Sequence, residues 1–188
     1  QLWDENDGTP FSTKFSFTRF CVPKLEDYSD EWVLFMDADM LIRGDIADVY
    51  NTLDASMGVY CVQHKHEPDE GVKMDGVMQS KYSRKNWSSF MFIKPSKCRG
   101  LTPYMVNNKT GQWLHGMLWI DDRLIGDLPI EWNWLAGYSE PCDPKNVHFT
   151  LGTPDMSHYI QTDYDLEWWN ALEQSKDNSY AEKEYSPG

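Results

Sequence analysis

One short stretch constrains the fold of this chain more than any other. Five consecutive apolar residues at 32–36 (WVLFM) run directly into Asp37-Ala38-Asp39. An apolar run without alternation is typical of a strand buried on both faces, as at the centre of a parallel sheet. Because ligands of open α/β sheets bind beyond the carboxyl ends of the strands, two carboxylates are expected at the ligand-binding edge.

The pair of carboxylates itself indicates a metal. Two carboxylates one residue apart repel each other, and both lose hydration when a strand carries them into the protein. A divalent cation removes both penalties, and oxygen ligands suit Mg²⁺ or Mn²⁺. Alternate side chains of a strand share a face, so Asp37 and Asp39 are candidate metal ligands. The alternative is that Asp37 only ends the strand and Asp39 only caps a turn.

The remaining elements alternate around this strand. Further strands are predicted at 57–62, 89–93 and 147–150, and helices at 12–23, 45–53, 114–124 and 164–175, with another beginning at Thr102-Pro103. This alternation predicts a single α/β domain over residues 1–175, with a mostly parallel sheet flanked by helices, and a polar tail at 176–188. Residues 64–87 show no sustained period and predict a long, functional loop.

Charge and cysteine content exclude several classes of partner. The 188 residues include 17 basic and 30 acidic side chains, and the net charge of −13 disfavours binding to nucleic acids and anionic membranes. No apolar run approaches the roughly 20 residues of a transmembrane helix. The four cysteines are too widely spaced for a zinc site and too few for a disulfide scaffold, so we expect a reducing, cytoplasmic environment.

Three more groups of residues are candidates for chemistry. His148 stands between an apolar residue and a Gly/Pro turn, and is either a third metal ligand or a half-buried structural histidine. Asp121 and Asp122 either orient a hydroxyl and stabilise a cationic sugar, or cap a helix. Arg84 and Lys85 are rare cations in an acidic chain and either meet a diphosphate or remain solvated in a loop.

The order of these motifs carries more information than any one of them. The segments are TKFSFTRF at 13–20, VLFMDADMLI at 33–42, NWSSFMFI at 86–93, DD at 121–122 with LP and WN at 128–133, and HFTLGTP at 148–154. In this order they resemble a GT-A glycosyltransferase, close to glycosyltransferase family 8, over residues 12–160. The segments at 63–64, 73–76 and 84–89 are similar to a bacterial and phage subgroup.

The resemblance implies a Rossmann-like GT-A fold and a reaction. A sugar would move from a nucleotide-sugar donor, expected to be a UDP-sugar, to a hydroxyl of a glycan or other acceptor, with retention at the anomeric carbon. Asp37, Asp39 and His148 would hold Mn²⁺ or Mg²⁺, and Asp121 or Asp122 would orient hydroxyls. The residues implied at the donor are Arg19, Arg84, Lys85, Asn86, Ser88 and Gly152.

The chain departs from the family pattern in three places. A serine stands where the Asn-x-Gly motif has glycine, Asp155 replaces a tryptophan, and no lysine precedes Pro154. Family members begin with a strand and loop that hold the nucleotide base, whereas eleven residues precede the segment at 12–23. We therefore expect that the chain is N-terminally truncated and lacks the first βα unit.

Two other functions fit part of the pattern. A non-catalytic carbohydrate-binding module would use the nine Trp and ten Tyr side chains as stacking surfaces. A phosphatase of the haloacid-dehalogenase type also places a DxD motif after an apolar strand, with the first aspartate as nucleophile. That motif continues with Thr or Val two residues after the second aspartate, where this chain has Leu41.

Overall fold

The computed structural model describes residues 2–3, 10–11, 16–65, 84–158 and 161–181. The strands are β1 (Leu2–Trp3), β2 (Pro10–Phe11), β3 (Val33–Met36), β4 (Met40–Ile42), β5 (Val59–Cys61), β6 (Phe90–Ile93), β7 (Ile125–Asp127), β8 (Trp134–Leu135) and β9 (Asn146–His148). The α-helices are α1 (Val22–Leu25), α2 (Ile46–Tyr50), α3 (Pro103–Asn108), α4 (Gly111–His115) and α5 (Asp165–Ala181). Short 3-10 helices span Thr18–Cys21, Trp87–Ser89, Pro95–Lys97, Asp122–Leu124 and Ile130–Asn133.

The strands form two sheets besides the short β1–β2 pair. A four-stranded sheet has the order β3-β6-β5-β7, and a three-stranded sheet has the order β4-β9-β8. The α/β class is confirmed, but the sheets are mixed, and the prediction of a mostly parallel sheet was wrong. Strand β6 runs antiparallel to both β3 and β5, and among the described strands only the β5–β7 and β8–β9 pairs are parallel. A continuous apolar run indicates burial on both faces and does not specify strand direction.

Burial also differs between the two apolar strands that pair along their whole length. All four residues of β6 are buried, at 2% exposure or less. All four residues of β3 are only half-buried, so the prediction that residues 32–36 are buried on both faces was wrong. The difference matches position in the sheet: within the described residues β3 is an outer strand, whereas β6 lies between β3 and β5.

Helix starts were predicted better than helix ends. Asp45 caps α2 by accepting from the backbone N–H of Ala47, and Thr102 caps α3 in the same way, as expected. The helix predicted over 12–23 does not end at Pro23, which lies in the first turn of α1, where its missing N–H costs nothing. The helix predicted over 114–124 was wrong, because α4 ends at His115 and Met117 adopts a left-handed φ of 54°.

Helix α5 docks on the three-stranded sheet through Arg43, which follows β4. The Arg43 guanidinium binds Glu167 at 2.7 Å and Asp143 at 3.0 Å, and it lies 4.6 Å from the ring centroid of Tyr164. The helix extends to Ala181, beyond the predicted end at residue 175. Most of the predicted long loop, residues 66–83, and the start of the helix expected from residue 12 lie outside the described residues.

The core lies on both faces of the four-stranded sheet. One cluster packs Phe20, Val59 and Met91 against α4, and the other packs Phe92 with Val49 of α2. These layers hold the carboxyl end of β3 next to the three-stranded sheet. None of the helices in the described residues is long and apolar enough to cross a bilayer.

Candidate functional site

Backbone pairing fixes the site at the point where β3 leads into β4. The N–H of Asp37 donates to the carbonyl of Ser89 at 2.8 Å, and the carbonyl of Asp39 accepts from the N–H of Phe149 at 2.9 Å. Strand β4 pairs with β9 so that Met40 lies opposite His148. Because both aspartates are anchored through their own peptide groups, their positions are set by the fold rather than by a flexible loop.

The three predicted metal ligands come together at this point. Ligand atoms of Asp37, Asp39 and His148 all lie within 4.8 Å of one another. The Nε2 of His148 lies 3.5 Å from Oδ1 of Asp39, and the His148 side chain is 4% exposed. Two carboxylate oxygens and one imidazole nitrogen are a donor set that suits Mn²⁺ and accommodates Mg²⁺. The residues therefore fit the divalent cation that the sequence predicts.

Arg19 lies directly beside this cluster. Its Nη2 is 2.8 Å from Oδ1 of Asp37, and its Nη1 donates to Oδ2 of Asp37 at 3.1 Å and to the carbonyl of Ser88 at 2.8 Å. The guanidinium carbon lies 5.1 Å from the ring centroid of Phe35. The structure thus brings Arg19, predicted as a donor contact, to the edge of the candidate metal site.

The pKa values of the two carboxyl groups shift in opposite directions. Burial raises the pKa of Asp37, and although Arg19 opposes this, the charge of Asp39 adds to it. Burial also raises the pKa of Asp39, but the hydrogen bond and charge of His148 outweigh burial, and the net pKa is lowered. A cation between the two carboxylates would favour the ionised form of each.

Beneath the cluster lies an asparagine that sequence reasoning did not single out. Asn133 is fully buried, and its Oδ1 is 3.0 Å from Nδ1 of His148. Its Nδ2 donates to the carbonyl of Asn86 at 3.1 Å and to Oγ of Ser89 at 3.0 Å. The one signal in the sequence was its place in the Trp-Asn segment of the resemblance, which gave it no role.

His64 is a second residue that was not predicted to belong to the site. Burial and the neighbouring His148 lower the pKa of His64 to about 4, so its imidazole is neutral at pH 7. Its Nε2 is buried and has no hydrogen-bond partner among the described residues. Its backbone carbonyl accepts from Nε1 of Trp87 at 3.1 Å.

The segment around Asn86 and Ser88 borders the site mainly through backbone atoms. Asn86 adopts a left-handed φ of 65°, and its carbonyl faces Asn133. The hydroxyl of Ser88 is 2.8 Å from Nδ1 of His115, a histidine whose pKa burial lowers to about 3. Arg19 and Asn133 therefore hold this segment against the candidate metal ligands through the carbonyls of Ser88 and Asn86.

The second acidic pair has different surroundings. Asp121 caps the 3-10 helix Asp122–Leu124 and binds the side chain of Arg123 at 2.6 Å, and the hydrogen bonds from Arg123 lower the pKa of Asp121 to about 2. Asp122 lies 2.7 Å from Arg84. Neither carboxylate belongs to the cluster formed by the three predicted metal ligands.

The remaining predicted donor residues flank these groups. Arg84 also donates to the carbonyl of Gly116 at 3.1 Å and lies 4.9 Å from the ring centroid of Trp87. Lys85 lies in the turn between Arg84 and Asn86. Gly152 follows β9 with a φ of 151°, a backbone conformation that side chains rarely adopt, and its N–H donates to the carbonyl of Phe149.

Comparison with known sequences finds one close relative. Over 185 residues the chain is 38% identical to the protein CDI of Arabidopsis thaliana, in an alignment that covers 94% of this chain and 71% of that protein. No protein-family model matches the chain.

Comparison with solved structures identifies the fold. The apo structure of WbbM, a bifunctional glycosyltransferase, aligns with a TM-score of 0.54 and 15% identity over 86% of this chain and 38% of that chain. The glycosyltransferase GlyE of Streptococcus pneumoniae TIGR4 aligns with a TM-score of 0.52 and 18% identity over 82% of this chain and 42% of that chain. The chain spans about two fifths of each of these structures, and the fold they share is GT-A-like.

Proposed function

The chain belongs to the family of the Arabidopsis thaliana protein CDI, and from its fold and site we propose that it is a metal-dependent glycosyltransferase. The observation that carries this proposal is the convergence of Asp37, Asp39 and His148 beside Arg19, at the carboxyl end of a sheet strand in a GT-A-like fold. In α/β sheets that edge is where ligands bind.

We propose that Asp37, Asp39 and His148 hold Mn²⁺ or Mg²⁺. The cation would act as a Lewis acid toward the diphosphate of a nucleotide-sugar and so favour its departure. The donor set supports a cation here: two half-buried carboxylates lie close together, and among the described residues the arginine beside them, Arg19, binds Asp37 and not Asp39. The imidazole of the buried His148 would supply the third ligand atom beside two carboxylate oxygens.

Basic side chains of the protein would stabilise the leaving group in this proposal. Arg19 is held by Asp37 and by the carbonyl of Ser88, so its guanidinium is preorganised beside the cluster. A fixed, partly desolvated guanidinium stabilises negative charge on a leaving group without reorganising during the reaction. Arg84 and Lys85 would add positive charge to the same leaving group.

The finer features of the reaction come from the resemblance. They are a UDP-sugar donor, a glycan or other hydroxyl acceptor, retention at the anomeric carbon, and relationship to glycosyltransferase family 8. Asp121 or Asp122 would orient donor or acceptor hydroxyls in that reaction. Donor and acceptor screening tests the substrates once binding of metal and nucleotide has been measured, and the anomeric configuration of the product tests retention.

The phosphatase alternative fits the site less well. It requires Asp37 to act as a nucleophile, whereas both oxygens of Asp37 accept hydrogen bonds from Arg19. The fold is also one that glycosyltransferases share. The carbohydrate-binding alternative makes a distinct prediction, which is sugar affinity that neither EDTA nor a nucleoside diphosphate changes.

The proposal is tested by thermal unfolding of the full chain with Mn²⁺, with UDP, and with both. A ligand at about 100 times its Kd that binds only the native state adds about 2.7 kcal/mol to the free energy of unfolding. We expect the largest rise in Tm when both ligands are present. The double variant Asp37→Asn/Asp39→Asn should lose this rise, whereas Asp121→Asn should keep it. A folded wild-type protein without any rise, or a double variant that keeps it, refutes the proposed site.

A further inference from the structure

We propose that Asn133 is a positioning residue that fixes the tautomer of His148 and thereby makes its Nε2 available as a ligand. This inference rests on the proposed function, because it concerns the residues that would hold the metal. Asn133 ends the 3-10 helix Ile130–Asn133 and precedes β8, which pairs with β9 so that Leu135 lies opposite His148. Its amide therefore lies directly behind the imidazole.

The hydrogen-bond network determines which end of the Asn133 amide faces which neighbour. The backbone carbonyl of Asn86 can only accept a hydrogen bond, so the amide atom 3.1 Å away must be the NH₂ group. The same NH₂ group lies 3.0 Å from Oγ of Ser89, whose own proton is donated to the carbonyl of Asn86 at 2.6 Å. The other end of the amide, Oδ1, is left facing His148.

This orientation in turn determines where His148 carries its proton. An amide oxygen only accepts, so the ring nitrogen 3.0 Å from it, Nδ1, must be the donor. A neutral imidazole with its proton on Nδ1 has its lone pair on Nε2, and Nε2 is the atom that lies 3.5 Å from Asp39 in the cluster. Ligating histidines are held in the same way, by an acceptor at the other ring nitrogen.

Packing alone does not account for an amide at this position. Asn133 is fully buried, and leucine has nearly the same shape without polar groups that require partners. The amide also connects the two halves of the site. Its NH₂ group binds Ser89, whose carbonyl accepts from the N–H of Asp37, while its oxygen binds His148. One side chain thus sets the relative position of ligands from β3 and β9.

The chain offers a matched control for this residue. Asn146, in β9, is also fully buried, and its Nδ2 donates to the carbonyl of Trp132 at 2.9 Å. Its side chain makes no hydrogen bond to the three proposed ligands among the described residues. Asn133→Leu and Asn146→Leu therefore both remove a buried amide from the same part of the fold, and only the first removes the acceptor behind His148.

The first measurement is the tautomer of His148 in the metal-free full chain, from long-range ¹H–¹⁵N correlations of histidine-labelled protein. His148→Gln assigns the signal. At a pH at which the imidazole of His148 is neutral, we expect its proton on Nδ1 in the wild type and a shift toward the Nε2-protonated form in Asn133→Leu. Asn133→Asp keeps an oxygen facing Nδ1 and should keep the wild-type tautomer. A wild-type imidazole protonated on Nε2 overturns the proposal whether or not the protein binds a metal.

The second measurement is Mn²⁺ affinity by titration calorimetry on the same variants. We expect Asn133→Leu to weaken Mn²⁺ binding by about 10- to 100-fold, as is typical when a residue that orients a ligating histidine is lost. Asn146→Leu should bind Mn²⁺ as the wild type does. Equal loss in both variants, or no loss in Asn133→Leu, overturns the positioning role. If the wild type binds no Mn²⁺, the proposed function fails, and the tautomer measurement alone decides the inference.

Discussion

Two pairs of neighbouring aspartates look alike in the sequence and differ in the structure. The side chains of Asp37 and Asp39 are 24% and 39% exposed, and their ligand atoms lie within 4.8 Å of each other and of the buried His148. The side chains of Asp121 and Asp122 are 46% and 72% exposed, and each meets an arginine. The chemistry of an acidic pair therefore depends on the side chains that the fold places beside it, and these cannot be read from the two aspartates alone.

Strand direction contributes to the difference. Strands β3, β5 and β7 run in the same direction, because β6 is antiparallel to β3 and β5 while β7 is parallel to β5. The first pair follows β3, at the edge where ligands of α/β sheets bind, whereas the second pair precedes β7. We therefore expect the first pair to control metal binding and the second pair to leave it unchanged.

The largest effect is expected from Asp39→Asn. The variant removes a charged ligand and the partner of His148, so Mn²⁺ affinity should fall by at least about 100-fold, more than for any residue that acts through a ligand. Calorimetric titration of the full chain measures this, with Asp122→Asn as the matched control from the other pair. Equal Mn²⁺ affinity in the two variants would remove the distinction between the pairs.

The comparison of the two pairs shows how much of this site could be predicted from the sequence. The apolar run before Asp37 and the turn after His148 made Asp37, Asp39 and His148 candidates, the resemblance implied that they share a metal, and the fold brings the three together. Strand direction was not predictable, because the apolar β6 is equally compatible with either direction. The role of Asn133 was not visible either, since it depends on the β8–β9 register and on a left-handed turn at Asn86.

A buried histidine near the first aspartate pair should also make the stability of the protein depend on pH. His115, behind Ser88, has its folded-state pKa lowered to about 3 by burial, whereas the unfolded chain binds a proton near the ordinary pKa of 6.5. Above pH 6.5 neither state is protonated at this residue, so its contribution is fully present. As the pH falls below 6.5 the unfolded state gains a proton that the folded state does not, and stability declines by about 1.4 kcal/mol per pH unit.

The variant His115→Gln isolates this contribution from that of the carboxylates. Urea unfolding of the wild type and the variant between pH 7 and pH 4.5 should give a steeper loss of stability for the wild type. Asp121, whose pKa is lowered to about 2, stays ionised in the folded protein over this range. Parallel curves for the two proteins would show that His115 is protonated in the folded state.

A smaller effect is expected from the ion pair that ties Arg84 to the second acidic pair. Arg84 is 17% exposed and Asp122 is 72% exposed, so solvent screens much of the attraction between them. A double-mutant cycle with Arg84→Met and Asp122→Asn should give a coupling free energy below about 1 kcal/mol. Mn²⁺ affinity should be unchanged in all three variants, and a loss in any of them would connect this region to the metal site.

The smallest effect is expected from Asp121→Asn, and the reason separates the two members of the second pair. Both oxygens of Asp121 already accept hydrogen bonds from Arg123, one from its backbone N–H and Nε and the other from Nη2. A carboxylate engaged on both oxygens is poorly placed to orient a substrate hydroxyl, whereas Asp122 meets Arg84 through one oxygen and is more exposed.

Under the proposed reaction, Asp122→Asn should lower kcat with unchanged Mn²⁺ and UDP affinity, and Asp121→Asn should leave all three unchanged. Turnover assays beside the binding titrations distinguish the two, and a larger loss of kcat in Asp121→Asn would reverse the assignment within the pair.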